Sequence, residues 1–414
     1  MHKPRKWTRP VRAARQLGTL VAMVVSAIGC DSSGGKPDAG AADAGAAAGS
    51  GGMAGGDLGG AAGNAGAGGA ADGTGGAAGA GDTVASCMQP DCSGGGLPAG
   101  VSLNGIWIAP GGTVWTVGEH GYIGRHSAGS APDQWCFCHD FDDTLNAVWG
   151  PGDDDVFAVG RNGRLLEYGS ASGWFPFSVG ADVSVALHDV SGLGDDLWIV
   201  GDQGFVVQLT GPMFNRTIQR LDVDTAYSLR AVFSPGSRYA FMVGNRRIQI
   251  AYQADGGVAT IFQLAGSDWF PLLSFVEDAG VSVLLGLSGN SFANLFAVGQ
   301  KFPSGSAESF GFVARSDGGS WRPADVPQDL TAGQLFTDVA VGPPGLPDGA
   351  YITPDLIFDG TTWTRSTDAL AGLLTTVDTR GDEMWAAGQD GVIARWNGSG
   401  WTVSRPATPL PQAP

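Results

Sequence analysis

The sequence predicts an all-β fold made of seven copies of one four-stranded unit. Three observations carry that expectation. First, a short apolar run ending in glycine recurs at Trp115–Gly118, Phe157–Gly160, Trp198–Gly201, Phe241–Gly244, Phe296–Gly299 and Trp385–Gly388. These glycines step by 42, 41, 43, 55 and 89 residues, and the last gap, about twice the others, hides a degenerate copy. Second, an opening strand recurs seven times: Leu103–Trp107, Leu145–Trp149, Leu187–Ser191, Leu229–Phe233, Leu285–Ser288, Phe336–Ala340 and Leu374–Asp378. Third, strand-forming runs of four to six residues are punctuated by Gly, Asn, Asp and Pro, and only the extreme N-terminus departs from this pattern.

The second copy shows the unit best. Leu145–Trp149 alternates in strand fashion and meets a turn at Gly150–Asp155. Val156–Val159 follows, then a tight turn at Gly160–Gly163, Leu165–Tyr168, a glycine-rich turn and Trp174–Phe177. Four antiparallel strands in about 43 residues is the arithmetic of a β-propeller blade. A lone blade cannot bury both of its faces, so each must pack on the next. The sixth unit is assigned a second strand at Ala350–Ile352, with Thr353-Pro354 replacing the glycine turn. Fourth strands open with Trp135, Trp174, Trp321, Trp363 and Trp401, and Phe214 and Phe262 are assigned that place in the third and fourth units. A linear solenoid is the alternative architecture, but it needs polar capping repeats. The first and last units here are the best copies. The expected fold is therefore a closed seven-bladed β-propeller over residues 103–404, joined by blade packing rather than by a shared strand, with a Pro-rich tail at 405–414.

The first 16 residues carry six basic groups and no acidic one, and an apolar run of 13 follows at Leu17–Gly29. Such a run is too short to span a bilayer and reads as a secretory leader over residues 1–29. It ends in Ser26-Ala27-Ile28-Gly29-Cys30, which resembles a bacterial lipobox, with Ala27 where such motifs usually carry leucine. That resemblance implies a lipid on Cys30 and a location on the bacterial cell envelope, at the periplasmic face or the cell surface. Residues 30–82 are almost all Gly, Ala, Ser and Asp, a composition that buries no core and reads as a disordered tether. Without residues 1–29 the chain has 17 basic and 40 acidic groups, a net charge near −23. Nucleic acid is a poor partner for that charge.

Four cysteines remain. Cys87 and Cys92 sit in a lead-in at 83–102, and Cys136 and Cys138 in the first unit's fourth strand. An even count in an exported chain favours disulfides. Bonds between the two pairs are expected, since Cys136 and Cys138 lie two apart on one face and would bond each other only with strain. Zinc is the alternative, with His139 adjacent, but the spacing follows no established ligand pattern.

The tight turns after the anchor glycines give a candidate binding rim. They read Glu119-His120, Arg161-Asn162, Asp202-Gln203 and Gln389-Asp390, each closed by a glycine, with Asn245-Arg246 in the fourth unit. The alternative is that these turns simply need polar, flexible residues. Acidic loops at Asp153–Asp155, Asp195-Asp196 and Asp382-Glu383 lack the order of a calcium loop. Arg125, Arg315 and Arg395 recur at one position of the third strand, with Glu167 and Gln208 as its other occupants. That position reads as a solvent-facing or inter-blade slot. Five histidines form no pattern with Ser, Cys or paired carboxylates, so no catalytic residue, metal or cofactor is assigned.

Ser316–Trp321 resembles a compressed Asp-box, the hairpin motif of sialidase-like BNR propellers. The wider repeat resembles those of bacterial lipoprotein propellers and, distantly, of Ycf48-like photosystem II assembly factors. The resemblance covers about residues 103–403 and implies a propeller without carrying a function. The expected role is a monomeric envelope lipoprotein acting as a non-catalytic binding or scaffolding module, with an envelope protein or glycan as partner. The alternative is a propeller-based extracellular hydrolase or lyase acting on glycans.

Overall fold

A computed structural model describes residues 96–139, 142–180, 183–236, 239–247, 257–265, 268–275, 281–303 and 306–405. Cys30, Cys87, Cys92, the leader, the tether and the C-terminal tail lie outside these residues. The described chain forms seven sheets of four antiparallel strands, each in sequential order, so the seven-bladed propeller is borne out. Among the described residues the only α-helical turn is Gln328–Thr331.

The core lies between blades. Seven apolar clusters each join two neighbouring blades, and one of them unites the first with the last. In that closing cluster Leu103, Ile106 and Phe137 of blade 1 pack on Trp385, Ala387 and Ile393 of blade 7, with Leu97 and Val101 of the lead-in beside them. No strand is exchanged: Leu103–Ile108 begins the first sheet and Trp401–Arg405 ends the last. The joint is pinned by the Ile108 amide donating to Asp378 at 2.8 Å and by Trp135 Nε1 donating to Ser404 at 2.8 Å.

The repeated glycine has a backbone cause. At Gly118, Gly160 and Gly201 the chain is extended, so no left-handed conformation is involved. A Cβ there would sit 2.3, 2.2 and 2.5 Å from the carbonyl oxygen of Ser102, Thr144 and Ala186, just before the opening strand of the same blade. Positive φ appears two residues later. His120, Asn162, Gln203 and Asp390 have φ of 53–58°, and the closing glycines φ of 68–70°. Two successive positive φ values make a type I′ hairpin, whose twist matches the flanking strands.

Three sequence expectations are corrected. Phe214 does not replace the tryptophan of blade 3: it is 83% exposed, in the loop before the fourth strand Thr217–Arg220. Phe262 lies in the third strand of blade 4, Gly257–Ala265, and the fourth strand, Asp268–Phe275, carries its own Trp269. Arg246 is not in a tight turn, because the second strand of blade 4 runs on to Arg247 and pairs with Gly257. The opening strand of blade 6 is also shorter than expected, Val339–Val341, with Phe336 fully buried ahead of it.

The third-strand position shared by Arg125, Glu167, Gln208, Arg315 and Arg395 is the inter-blade slot. Each stands directly across from the second-strand aromatic of its own blade. Arg125, for example, lies over Trp115 and reaches Tyr168 of the next blade.

Candidate functional site

The seven opening strands enclose a central channel with a cavity of about 620 Å³. Strand side chains alternate, so one position per blade, directly after the leading apolar residue, meets the channel. That position holds Asn104, Asn146, His188, Arg230, Leu285, Thr337 and Thr375. Four of the seven bind the next blade. Asn104 Nδ2 donates to the Leu145 carbonyl at 2.9 Å and Asn146 Nδ2 to that of Leu187 at 2.7 Å. The Thr337 hydroxyl donates to the Thr375 carbonyl at 2.7 Å, and the Thr375 hydroxyl to that of Leu103 at 3.3 Å.

Blades 3 and 4 depart from this pattern. His188 Nε2 lies 2.9 Å from Asp202 Oδ1, and the Ser228 hydroxyl donates to the same oxygen at 2.5 Å. Arg230 Nη1 lies 3.3 Å and 3.4 Å from the two His188 ring nitrogens. The His188 hydrogen bond, helped by Ser228 and by the charges of His188 and Arg230, holds the Asp202 carboxyl well below the usual carboxylate range against its partial burial. The Ser228 hydroxyl is turned to Asp202 and not to the imidazole, so the trio has no nucleophile–base pair.

Further along the opening strands, three partly exposed carboxyl groups line the channel and bond across blade joints. Asp189 accepts the amides of Val190 and of Val232 in the next blade, both at 2.8 Å. Asp338 accepts Val339 at 2.8 Å and Val377 of blade 7 at 3.0 Å. Asp378, two further along in its own strand, accepts Ile108 of blade 1. Burial pushes Asp189 up to about 8 and Asp338 and Asp378 up to about 6. They tie the ring's joints together and line its channel.

The rim residues singled out from sequence have mixed fates. Glu119 accepts the Ser102 amide at 3.0 Å, and Asn162 donates to Asp143 at 2.7 Å. His120, Arg161, Gln203 and Gln389 are exposed at the hairpin tips, and Arg246 stands 3.9 Å from Asp224. Asp390 lies at a tip with positive φ. Asp202 alone reaches the channel cluster. His188 and Arg230 went unnoticed in the sequence because they lie 42 residues apart and meet only through blade stacking. They are the two ionisable members of the column formed by the residue after the leading apolar one in each opening strand. Cys136 and Cys138 are both disulfide-bonded.

No family model matches the chain, and no curated protein sequence matches it. Solved structures do. Ycf48 from Cyanidioschyzon merolae superposes with a TM-score of 0.51 at 15% identity, covering 73% of this chain and 97% of that one. Virginiamycin B lyase from Staphylococcus aureus gives 0.49 at 10% identity, over 69% and 92% of the two chains. The WD40 repeats of RRP9 give 0.49 at 11% identity, over 70% and 88%. At 15% identity the likeness to Ycf48 shows the propeller fold alone.

Proposed function

We propose that this chain is a cell-envelope lipoprotein, acylated at Cys30, whose propeller is a non-catalytic binding module for another protein. One observation carries the binding reading. On the rim made by the loops between first and second strands, blades 3 to 5 leave Leu193, Tyr239 and Phe292 exposed, at 52%, 50% and 40%. The rings of Tyr239 and Phe292 meet edge to face at 5.1 Å. Exposed apolar side chains gathered on one face mark contact surfaces more often than lone ones do. Asp195 and Asp196 in the blade 3 loop and Asp153 and Asp154 in that of blade 2 share this rim. The matching partner is a protein surface with an apolar centre and basic margin. Anchoring falls to the lipid in this reading, and bonds from Cys87 and Cys92 to Cys136 and Cys138 fasten the lead-in to blade 1.

Photo-crosslinking in intact envelopes tests the reading. A benzophenone side chain at Tyr239 or Phe292 should give discrete protein adducts, and one at Arg161 on the opposite rim should not. Adducts absent from both rim positions would remove the binding surface. Cys30→Ser should move the protein from the membrane to the soluble fraction. A variant that still pelleted after a high-salt wash would remove the lipid anchor.

A further inference from the structure

We propose that the cleft between the fourth strands of blades 3 and 4 is a binding site for a small alkylated ammonium ion. The cleft, of about 530 Å³, lies where the fourth strand of blade 3, Thr217–Arg220, gives way to the linker 221–226 and faces the start of the fourth strand of blade 4, Asp268–Phe275. A cavity of that size holds a small molecule. One side is aromatic. Tyr227 meets Phe262 edge to face at 5.0 Å, and Trp269 stands edge-on to Trp198 of blade 3 at 5.3 Å. Tyr227 and Trp269 are partly buried: each packs on the apolar cluster of the joint and also lines the cleft. The other side is acidic. Leu221 and Val223 of the linker pack on the joint, and the residues alternating with them, Asp222 and Asp224, are exposed. Asp268 joins them from blade 4.

The charges select a cation. Arg220 donates its Nε to Asp222 and lies 4.8 Å over Phe205, so that pair is closed on itself, and the other Asp222 oxygen accepts the Val206 amide at 3.1 Å. Asp224 accepts the Ala226 amide at 2.9 Å with one oxygen, and its other lies 3.9 Å from Arg246, both side chains being 55% exposed. A pair that long and that open is worth little. The Asp268 side chain is exposed and has no hydrogen-bond or ion-pair partner among the described residues. Even with Arg246 counted, three carboxylates face two guanidinium groups, and the cleft keeps a negative excess. The rings select the kind of cation. Asp224 and Asp268 stay in water, so they attract charge without stripping a strongly hydrated ion such as Na⁺ or a primary ammonium. An alkylated ammonium spreads its charge over carbons, is weakly hydrated, and packs those carbons on aromatic faces.

This site is distinct from the Tyr239–Phe292 surface, and either can fail alone. The test uses the whole purified protein with choline, its uncharged isostere 3,3-dimethyl-1-butanol, and ethanolamine as the primary ammonium, all at one low ionic strength set with NaCl. Saturation-transfer NMR should show the choline N-methyl protons in contact with the protein. The alcohol, which has the shape without the charge, should bind at least about tenfold more weakly, and ethanolamine at least about fivefold more weakly. Raising NaCl to about 0.5 M should weaken choline and leave the alcohol unchanged. Trp269→Leu keeps apolar bulk but removes the ring, and should weaken choline at least about tenfold. Asp268→Asn removes one exposed charge and should weaken it about threefold or more. Should Trp269→Leu fail to fold, the Asp268 variant and the alcohol decide. The site is overturned if choline shows no saturation transfer, if the alcohol or ethanolamine binds as well as choline, or if either folded variant binds choline as the native protein does.

Discussion

Between blades 1 and 2, Trp174 closes edge-on against Trp115 at 5.4 Å, and Tyr168 packs beside both. Between blades 2 and 3 the corresponding slot holds an arginine. Arg216 lies 4.7 Å over the ring of Phe157, donates to the Gly211 carbonyl at 2.8 Å, and pairs with Asp155 and with Glu167 at 3.3 Å. The side chains of Arg216 and Glu167 are each only 2% exposed. Both joints fill the same space against a second-strand aromatic. One does so with apolar surface, the other with a charge network that must be complete to be tolerated. The repeat therefore conserves a volume and a ring to stack on, not a residue type. Glu167, in the slot where Arg125 and Arg315 sit elsewhere, is what makes an arginine acceptable at 216.

The largest effect breaks what both joints share. Deleting Leu374 onward removes blade 7 and bares two apolar faces. Several hundred Å² of exposed surface costs on the order of 10 kcal/mol, the size of a whole domain's stability. That variant should aggregate. A soluble, monomeric, cooperatively unfolding product in calorimetry would mean that the blades do not depend on closure.

Next come the joints themselves. Trp174→Ala should destabilise by about 3–5 kcal/mol through the cavity it leaves. Arg216→Ala should cost a similar ~3–5 kcal/mol for another reason, the stranding of Glu167. The two separate in a double variant. Adding Glu167→Leu should recover much of the Arg216→Ala loss, whereas no polar change should rescue Trp174→Ala. Urea unfolding of the four proteins distinguishes the mechanisms, and an unrescued Arg216→Ala would show that stacking on Phe157 is what matters.

Much of the ring was legible in the sequence, for a physical reason. The anchor glycines are imposed by a carbonyl a side chain would strike, and the opening strands by the burial of their blade-facing residues such as Leu145, Val148, Leu187 and Val190, so both recur in every good copy. Blade 3 conceals its fourth-strand slot because Arg216 stacks there in place of an aromatic, while the nearby Phe214 ring faces outward. Blade 4 conceals its own tryptophan because its second and third strands are long and carry Trp269 out of the regular spacing. The channel cluster was hidden further. Asp202 was noticed as a turn residue, but its partners come from the opening strands of two blades, His188 14 residues before it and Ser228 26 after. Periodicity marks where a blade is; it does not mark which columns face the axis as chemistry.

The buried and exposed acids should respond to pH in opposite directions. Asp189, at about 8, and Asp338 and Asp378, at about 6, are raised by burial above the ordinary value near 3.9. Between about pH 4 and 8 the folded chain then holds protons that the unfolded chain has released, so stability falls as pH rises through that window. Thermal melts should give a higher Tm at pH 5 than at pH 8. A Tm that climbs over that range would mean that the amide bonds to these carboxylates outweigh their burial.

The smallest effect lies on the hairpin rim. Asp143 accepts Asn162 at 2.7 Å and both Nε and Nη2 of Arg164, at 3.0 Å and 2.6 Å. Those bonds, Asn162 first and then Arg164, lower its pKa. A lowered carboxylate contributes stability above its unfolded value, and that contribution is lost as pH falls through the folded one. The pair is partly exposed, with 32% of the Arg164 and 20% of the Asp143 side chain open to solvent, so screening limits it. Asp143→Ala should cost about 0.5–1 kcal/mol at pH 7 in low salt, less in about 1 M salt, and progressively less as the pH falls below the ordinary carboxylate range. The Arg216–Glu167 joint, being buried, should show little of that salt dependence. If Asp143→Ala were as costly as Arg216→Ala and equally indifferent to salt, burial would not be what separates the two regions, and the rim would have to be counted as part of the core.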